Sequence, residues 1–557
     1  MNKKILALSC GLMALSFGEI QAQIGAPFIH DPSTLVECDG KYYTFGTGGG
    51  GLISEDGWSW HSGAERPGGG AAPDAMKIGD RYLIAYSTTG GGLGGGHAGH
   101  VVTMWNKTLD PKSPDFKFTE PIEVANSGDL EDCDAIDAGL LLDPQTGRLW
   151  LTYGTYFGFI RQVELDPKTG ERVKGNKAKD VAIDCEATDM IYHNGWYYLL
   201  GTHGTCCDGV NSTYNIVVGR SRSVNGPFID NVGRDMIQGG GKMVIAASER
   251  LAGPGHFGRV ILEEGVEKMS CHFEADFDQG GRSTLGIRPL LWVNDWPVAG
   301  ELLREGKYEI ESVRRGYSLE LSVDFVRIER ARGGMGMFGG FGGGMAAFGG
   351  PRPANGQAAN RPAGAQGAPG APAGAPAGAP AGAPAGFGGF GGFGGAPQGA
   401  ARPAAQQSAP KPVEQQTLLD VYDTWPKGEI YARMADYMAR PHQKWEITAI
   451  PDSAGYLGGS YYKIVIAGTK RALAVNANAE VITVPKYTGA QEQMWRIDQL
   501  TDGTYRIMPK IQKFAGLEDV KGSLALISAG DCTPAIAKFD MSTDNSKWNL
   551  KYLFDAK

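Results

Sequence analysis

After its first residues the chain has no uninterrupted apolar run near the roughly 18 residues that a membrane-spanning helix needs. It also has no long basic run. Its 53 Lys and Arg are outnumbered by 61 Asp and Glu, for a formal net charge of −8. That balance argues against nucleic acid as a partner, because such binding rests on clustered positive charge. There is no CxxC pair, so the usual signature of a thiolate zinc site is missing. Helical periodicity is scarce throughout. The glycine-rich stretch STTGGGLGGGHAGH at 87–100 is not followed by GK[ST], so it is not a phosphate-binding loop. What the chain has in excess is glycine: 84 residues, roughly twice the usual share.

At 557 residues the chain is long enough for two or three domains, and its 42% hydrophobic and 20% charged content is that of a globular protein. Residues 1–22 read as a secretory signal peptide. Lys3 and Lys4 give the positive start, Ile5 to Phe17 the apolar stretch, and Ala22 a small residue suited to cleavage. A secreted or periplasmic location follows, and that compartment permits a disulfide. Of the eight cysteines, Cys10 falls in the leader. The others, Cys38, Cys133, Cys185, Cys206, Cys207, Cys271 and Cys532, are odd in number and irregular in spacing, so the sequence alone does not pair them.

Residues 23–300 read as all-β. A hairpin pattern recurs: a strand, a turn with glycine, then an aromatic or apolar strand. It appears around Gly40 (VECDGKYYTFG), Gly79 (MKIGDRYLIAY), Gly147, Gly195 (IYHNGWYYLLG) and, more weakly, Gly265. Five such hairpins predict a five-bladed β-propeller. Upstream of these turns stand Asp31, Asp74, Asp137, Glu186 and His256. A similar offset in every blade would bring them to one mouth of the central funnel.

A second repeat follows. GKYEIESVRRGYSLELSV, SYYKIVIAGTKRALAV and GTYRIMPKIQKFAGLEDV recur with downstream Trp445, Trp495 and Trp548, which predicts a β-trefoil-like domain. Residues 301–330 form its first part and 416–557 the remainder. Residues 331–415, GGMGMFGGFGGG through repeated GAPA to FGGFGGFGG, lack charge and any core-forming period and read as a disordered insertion. Long insertions in loops are tolerated because closure entropy grows only slowly with length. The competing reading makes 301–330 the end of the propeller and the segment a linker.

A single Asp in a β-protein is ordinarily a turn or cap residue. Repetition across blades changes that reading for Asp31, Asp137 and Glu186. Paired carboxyl groups across a cleft suit glycoside hydrolysis, where one protonates the departing oxygen and another activates water. A third charge beside the acid would raise its pKa by repulsion.

The residues FIHDPST at 28–34, DAIDAGLLLDPQTGRLWLTYGTYFGFI, EATDMIYHNGWYYLLGTHGTCCDGVNSTYNIVVGRS, LAGPGHFGRVILEEG and GGRSTLGIRPLLW resemble, in order, motifs of glycoside hydrolase family 43, its arabinanases in particular. The resemblance covers about half the chain. It implies a five-bladed propeller and an inverting glycosidase acting on arabinan or related arabinose-containing polysaccharide. It assigns Asp31 as general base, Glu186 as general acid and Asp137 as the residue that tunes and orients the acid. His256, in GPGH, would contact a mostly water-coordinated Ca2+; a hydrogen-bonded core histidine is the other reading. Asp134, Thr155, Tyr156 and Phe157 are candidate substrate contacts, with Tyr156 and Phe157 equally readable as core. AIDAG in place of AIDP, EATD in place of EAPY (which introduces Asp189) and GHF in place of GHN depart from the pattern, and the glycine-rich loop at 87–100 would shape the end of the cleft, a closed end favouring exo and an open groove endo attack, which leaves that choice open. An exo-acting arabinofuranosidase, a β-xylosidase and a non-catalytic glycan-binding protein are the rivals. The C-terminal repeats resemble ricin-type trefoils through Gln443–Trp445 and Gln493–Trp495, with either a carbohydrate-binding or a structural role.

Overall fold

The computed structural model describes residues 23–88, 99–127, 134–156, 158–323, 425–450, 454–530 and 533–554. The predicted signal peptide at 1–22, the low-complexity stretch at 331–415, Phe157 and most of the glycine-rich stretch at 87–100 lie outside the described residues. No helix among the described residues is long and apolar enough to cross a membrane.

Five antiparallel sheets succeed one another along the chain. Their first strands are Val36–Cys38, Ala71–Ile78, Gly139–Leu142, Glu186–His193 and Leu251–Glu263. First strands of successive blades touch, so they form the inner ring of a five-bladed propeller. Each runs into a hairpin whose glycine (Gly40, Gly79, Gly147, Gly195 or Gly265) has φ between 64° and 79°, where an L side chain would be strained. Residues 24–31 close the ring. Ile24 and Gly25 pair with Ser59 and Trp60 at the outer edge of blade 1. Pro27 accepts from the Leu285 amide, and Phe28 bridges Thr284 in blade 5. Asp31 therefore emerges where the first and last blades meet.

Every blade also has a non-glycine residue in the left-handed region at or before the body of its inner strand: Asp31 (φ 49°), Ala72 (44°), Asp137 (60°), Ala187 (46°) and His256 (60°). Such conformations cost of order 1–3 kcal/mol each and persist where their surroundings over-determine them. Three of the five are predicted site residues, and Ala187 follows a fourth.

The described residues of the C-terminal part form a trefoil of twelve strands. Each third ends on a strand that begins with a fully buried tryptophan: Trp445, Trp495 or Trp548. Their indole N–H groups donate to Leu319, Leu473 and Leu526 carbonyls, one bond per repeat. Gln443 and Gln493 accept from the Met438 and Thr488 amides, and Ser546 takes the equivalent place by accepting from Asp540. These tryptophans are core and contact no solvent. Within the first repeat, Ser318–Leu321 pairs directly with Ile430–Ala435, so residues 324–424 interrupt one trefoil hairpin.

Propeller and trefoil share their packing. Leu457 of the trefoil sits in one apolar cluster with Ile29, Leu35, Trp60 and Ile287. Beside a second shared cluster, Asp498 of the trefoil is fully buried among Arg496, Arg506 and the propeller's Lys268.

Candidate active site

Asp31 is held at the blade 5–blade 1 junction by contacts from three elements. Its Oδ2 accepts from Thr47 Oγ1 at 2.6 Å. Three imidazoles face it: His30 Nε2 at 3.6 Å, His256 Nδ1 at 3.7 Å and His272 Nδ1 at 3.9 Å. The Asp31 amide donates to His272 Nδ1 at 3.2 Å, which places that ring's proton on Nε2, toward Glu274 Oε1 at 3.7 Å. Burial would raise the Asp31 carboxyl, but His256, His30 and His272 overcome it and hold the group well below the usual carboxylate range.

Asp137 and Glu186 are joined through the backbone. Asp137 Oδ2 accepts from the amide of Ala187 at 3.0 Å, so the residue after Glu186 is pinned to the neighbouring blade. Glu186 opens its inner strand, and its carboxyl accepts a hydrogen bond from the Tyr214 hydroxyl. Burial, then the charges of Asp31 and Glu274, push Glu186 up to about 8. Burial, then Glu186 and Asp31, raise Asp137 well above its ordinary value, against the pull of the Ala187 amide. The sequence reading attributed the acid's high pKa to a third charge beside it. The structure gives burial as the main cause. Asp137 is itself pushed toward its neutral form, so little charge remains on it to repel Glu186.

The other predicted residues divide. Asp74 does not reach the mouth: it is buried, accepting from the Thr34 amide at 3.0 Å and the Leu140 amide at 2.9 Å, and so ties blade 1 to blade 3. Asp134 is 1% exposed, and its Oδ1 accepts from the Gly99 amide at 3.2 Å. Its charge adds to the rise of Asp137, so it acts on the site from within the wall. Thr155 is buried as well. Tyr156 is half-buried; its hydroxyl is engaged with Gly204 N–H and with the Thr202 carbonyl, and its ring lies 6.3 Å from that of His203. Phe157 falls outside the described residues. Asp189 is buried and raised by desolvation, then by Asp74, below the mouth.

His256 is buried, its amide donating to Thr202 Oγ1 at 2.9 Å, and its Nδ1 has no hydrogen-bond partner. A calcium ion takes six to eight oxygen ligands. Among the described residues, the close groups of candidate ligands are His30–Cys206–Cys207–Glu274, whose two sulfurs are joined in a disulfide, and His30–Asp31–His272, and neither contains His256. The one orphaned nitrogen fits a single contact to a water-shelled cation and does not build a cage.

Sequence reasoning missed His30, His272, Glu274, Tyr214 and the pairing of Cys206 with Cys207. That vicinal disulfide sits at the rim, with Cys207 Sγ 4.0 Å from His30 Nε2 and the Cys207 amide donating to Glu274 Oε1 at 3.0 Å. His272 and Glu274 carried one legible signal. Two residues apart in a strand, they share a face, and ionisable groups on the face of a buried strand call for a partner.

A propeller that carries Asp31, Asp137 and Glu186 at or before its inner strands, one favouring the ionised and another the protonated form, holds the kind of carboxyl groups that glycoside hydrolysis uses. Residues 49–297 match the model of Glycosyl hydrolases family 43, and residues 441–523 match that of a Ricin-type beta-trefoil lectin domain-like family. Among curated relatives, the extracellular exo-alpha-(1->5)-L-arabinofuranosidase ArbA of Cellvibrio japonicus is 29% identical, over 45% of this chain and 78% of that protein. The extracellular endo-alpha-(1->5)-L-arabinanase 1 of Bacillus subtilis is 29% identical over 52% and 94%. The Aspergillus flavus protein named Probable arabinan endo-1,5-alpha-L-arabinosidase A is 30% identical over 42% and 77%. The chain belongs to glycosyl hydrolase family 43.

Proposed function

We propose that this chain is a secreted, inverting glycosidase that cleaves α-L-arabinofuranosyl linkages in arabinan or a related plant polysaccharide. The observation that carries the reading is the pair of environments: Asp31 bonded by Thr47 and faced by His256 and His30, which favour its ionised form, and Glu186 buried and bonded by Tyr214, which favours its protonated form. Asp31 takes a proton from the attacking water as its oxygen bonds to the anomeric carbon. Glu186 gives its proton to the departing sugar oxygen as the glycosidic bond breaks. Asp137 fixes the acid through the Ala187 amide. Both carboxyl groups return to their starting forms by exchange with solvent. Proton NMR of the first-formed anomer tests inversion; a retained anomer would reject it.

The relatives in Cellvibrio and Bacillus carry exo and endo names, so the mode of attack is a separate matter. Digestion of debranched arabinan separates the two: a ladder of oligosaccharides marks endo attack, arabinose alone marks exo attack. Turnover of aryl β-xyloside in preference to aryl arabinofuranoside would favour the xylosidase reading.

The pH profile follows from the acid. Glu186 must keep its proton, so kcat/KM on an aryl arabinofuranoside is expected to fall about tenfold per unit on the alkaline side of about pH 8. Asp31 titrates far below, so the acid side should stay flat until the protein unfolds. A profile still level at pH 10 would remove Glu186 from the role of acid.

As a neutral imidazole His256 would hold a calcium ion through Nδ1, a form in which it does not donate to Asp31, with water supplying the remaining ligands. Such an ion would add positive charge near Asp31 at the axis. Chelation is expected to lower the thermal midpoint or the activity of the wild type, and His256→Ala should be insensitive to chelator. Equal, unchanged melting of chelated and calcium-loaded enzyme would count against the ion.

A further inference from the structure

Beside the base, at the rim of the mouth, His30, Cys206, Cys207 and Glu274 bring four metal-ligating atoms within 4.8 Å of one another. They come from three separate parts of the chain, so no CxxC-like spacing announces them. Cys207 Sγ lies 4.0 Å from His30 Nε2, and the Cys207 amide donates to Glu274 Oε1 at 3.0 Å. Glu274 Oε1 also lies 3.7 Å from His272 Nε2 and 4.0 Å from His30 Nδ1. The two sulfurs are bonded to each other, and only a thiolate is an effective metal ligand.

This disulfide does little for the fold. A cross-link stabilises mainly by closing a long loop of the unfolded chain, and this one joins adjacent residues. It pins no distant segment, so opening it leaves the blades tied as before. Cys207 is exposed, so a reductant can reach it, whereas the thiols of Cys38, Cys185 and Cys271 are buried. Opening the bond yields two soft sulfur donors beside an imidazole and a carboxylate. That set suits Zn2+, which takes four ligands at about 2.0–2.3 Å. It does not suit calcium, which takes oxygen.

We infer that Cys206, Cys207, His30 and Glu274 form a Zn2+ site that exists only when the disulfide is reduced, and that the captured ion blocks the base. The reductant is a dithiol. Its thiolate attacks the exposed Cys207 sulfur, the S–S bond breaks, and Cys206 leaves as a thiolate. The second thiol of the reductant then closes on the mixed disulfide. Two electrons have passed to the protein, and the dithiol departs as its own disulfide. Zn2+ binding sends the remaining thiol protons to solvent. Two thiolates, one carboxylate and a dication leave one net negative charge, the same that Glu274 alone carries beforehand. Bound at His30 Nε2, the ion stands beside Asp31, whose Oδ2 is 3.6 Å from that nitrogen, and competes for the water that Asp31 activates. The block rests on Asp31 being the base; capture of the ion does not.

The test reduces the full chain with a dithiol, removes the reductant without oxygen and titrates Cd2+ as a spectroscopic stand-in for Zn2+. A thiolate-to-metal charge-transfer band is expected to saturate at one ion per chain and to be missing from the oxidised protein. Activity on an aryl arabinofuranoside should be lost as Zn2+ fills the reduced enzyme, return when a calcium-loaded chelator removes it, and stay unchanged in the oxidised enzyme. Cys206→Ser with Cys207→Ser should give no band, its fold being checked by melting. His30→Gln keeps both thiols and should weaken Cd2+ binding at least about tenfold, the least that losing an outer-shell partner costs. A band in the oxidised protein, no band after reduction, or a band that survives in the folded serine pair would overturn the site. Should the serine pair not fold, unchanged Cd2+ affinity in His30→Gln overturns it instead. A saturated band with full activity would overturn the block. An oxidised enzyme inactive before any metal is added would overturn the glycosidase reading, and the band would still decide the site.

Discussion

Glu186→Gln is expected to lower kcat/KM on arabino-oligosaccharide by at least about 100-fold, the scale of a positioned general acid. The amide is close in shape to the carboxylic acid and still accepts from the Tyr214 hydroxyl, so the pocket should keep its form. What is lost is the proton that burial and the charges of Asp31 and Glu274 keep on the side chain. The size of the loss should depend on the leaving group. A sugar alkoxide departs poorly without a proton, whereas an activated phenolate departs readily, so the defect should shrink on activated aryl glycosides. Asp31→Asn should show no such relief, because activation of water is needed whichever group leaves. A Glu186→Gln defect of equal size across a series of aryl leaving groups would assign this residue to something other than proton donation.

Asp498→Ala is expected to destabilise the protein by about 3–5 kcal/mol, the range for breaking a buried charge group by removing one partner. Asp498 is fully buried; Lys268 Nζ lies 3.3 Å from its Oδ1, and Arg496 Nε and Arg506 Nη2 lie 2.8 and 2.6 Å from its Oδ2. Burial alone would raise its carboxyl, but Arg496, Lys268 and Arg506 hold it well below the ordinary value. Its contribution is therefore present above the unfolded carboxylate pKa and is lost only as pH falls through the depressed folded value. Because Lys268 belongs to the propeller, the variant should also loosen the junction and split one urea transition into two. Arg250→Ala, which removes an exposed ion pair with Asp278, is the control and should stay within about 1 kcal/mol of wild type. A loss at Asp498 no larger than that of the control would show that the buried charges relax without their anion.

The propeller was legible because its turns are chemically constrained. Gly40, Gly79, Gly147, Gly195 and Gly265 share one left-handed geometry, so the backbone demand recurs in the sequence at each hairpin. The trefoil was legible for a related reason: three buried indoles each need a partner for N–H, and the same neighbourhood is built three times. Asp31, Asp137 and Glu186 could be placed because they stand at corresponding points of that repeat. Asp74 stands only five residues before Gly79, where the others stand nine or ten before their turns, and its backbone-amide partners Thr34 and Leu140 come from other blades. His30, His272, Glu274 and Tyr214 were missed for the same reason. Their roles arise from contacts between blades 1, 4 and 5, which only closure of the ring creates. That neighbouring charge raises the acid was legible, although the charges are Asp31 and Glu274, while the larger contribution of desolvation was not, because it depends on three-dimensional burial.

The pairing of Leu321 with Ala432 has a consequence for how this architecture came to hold so long a segment. Leu321 and Ala432 lie side by side, so the chain leaves and re-enters the trefoil at one corner, and a change in the length of what joins them alters closure entropy only slowly. That corner is a natural graft point, where lengthening or shortening the connection need not disturb the register of the hairpin.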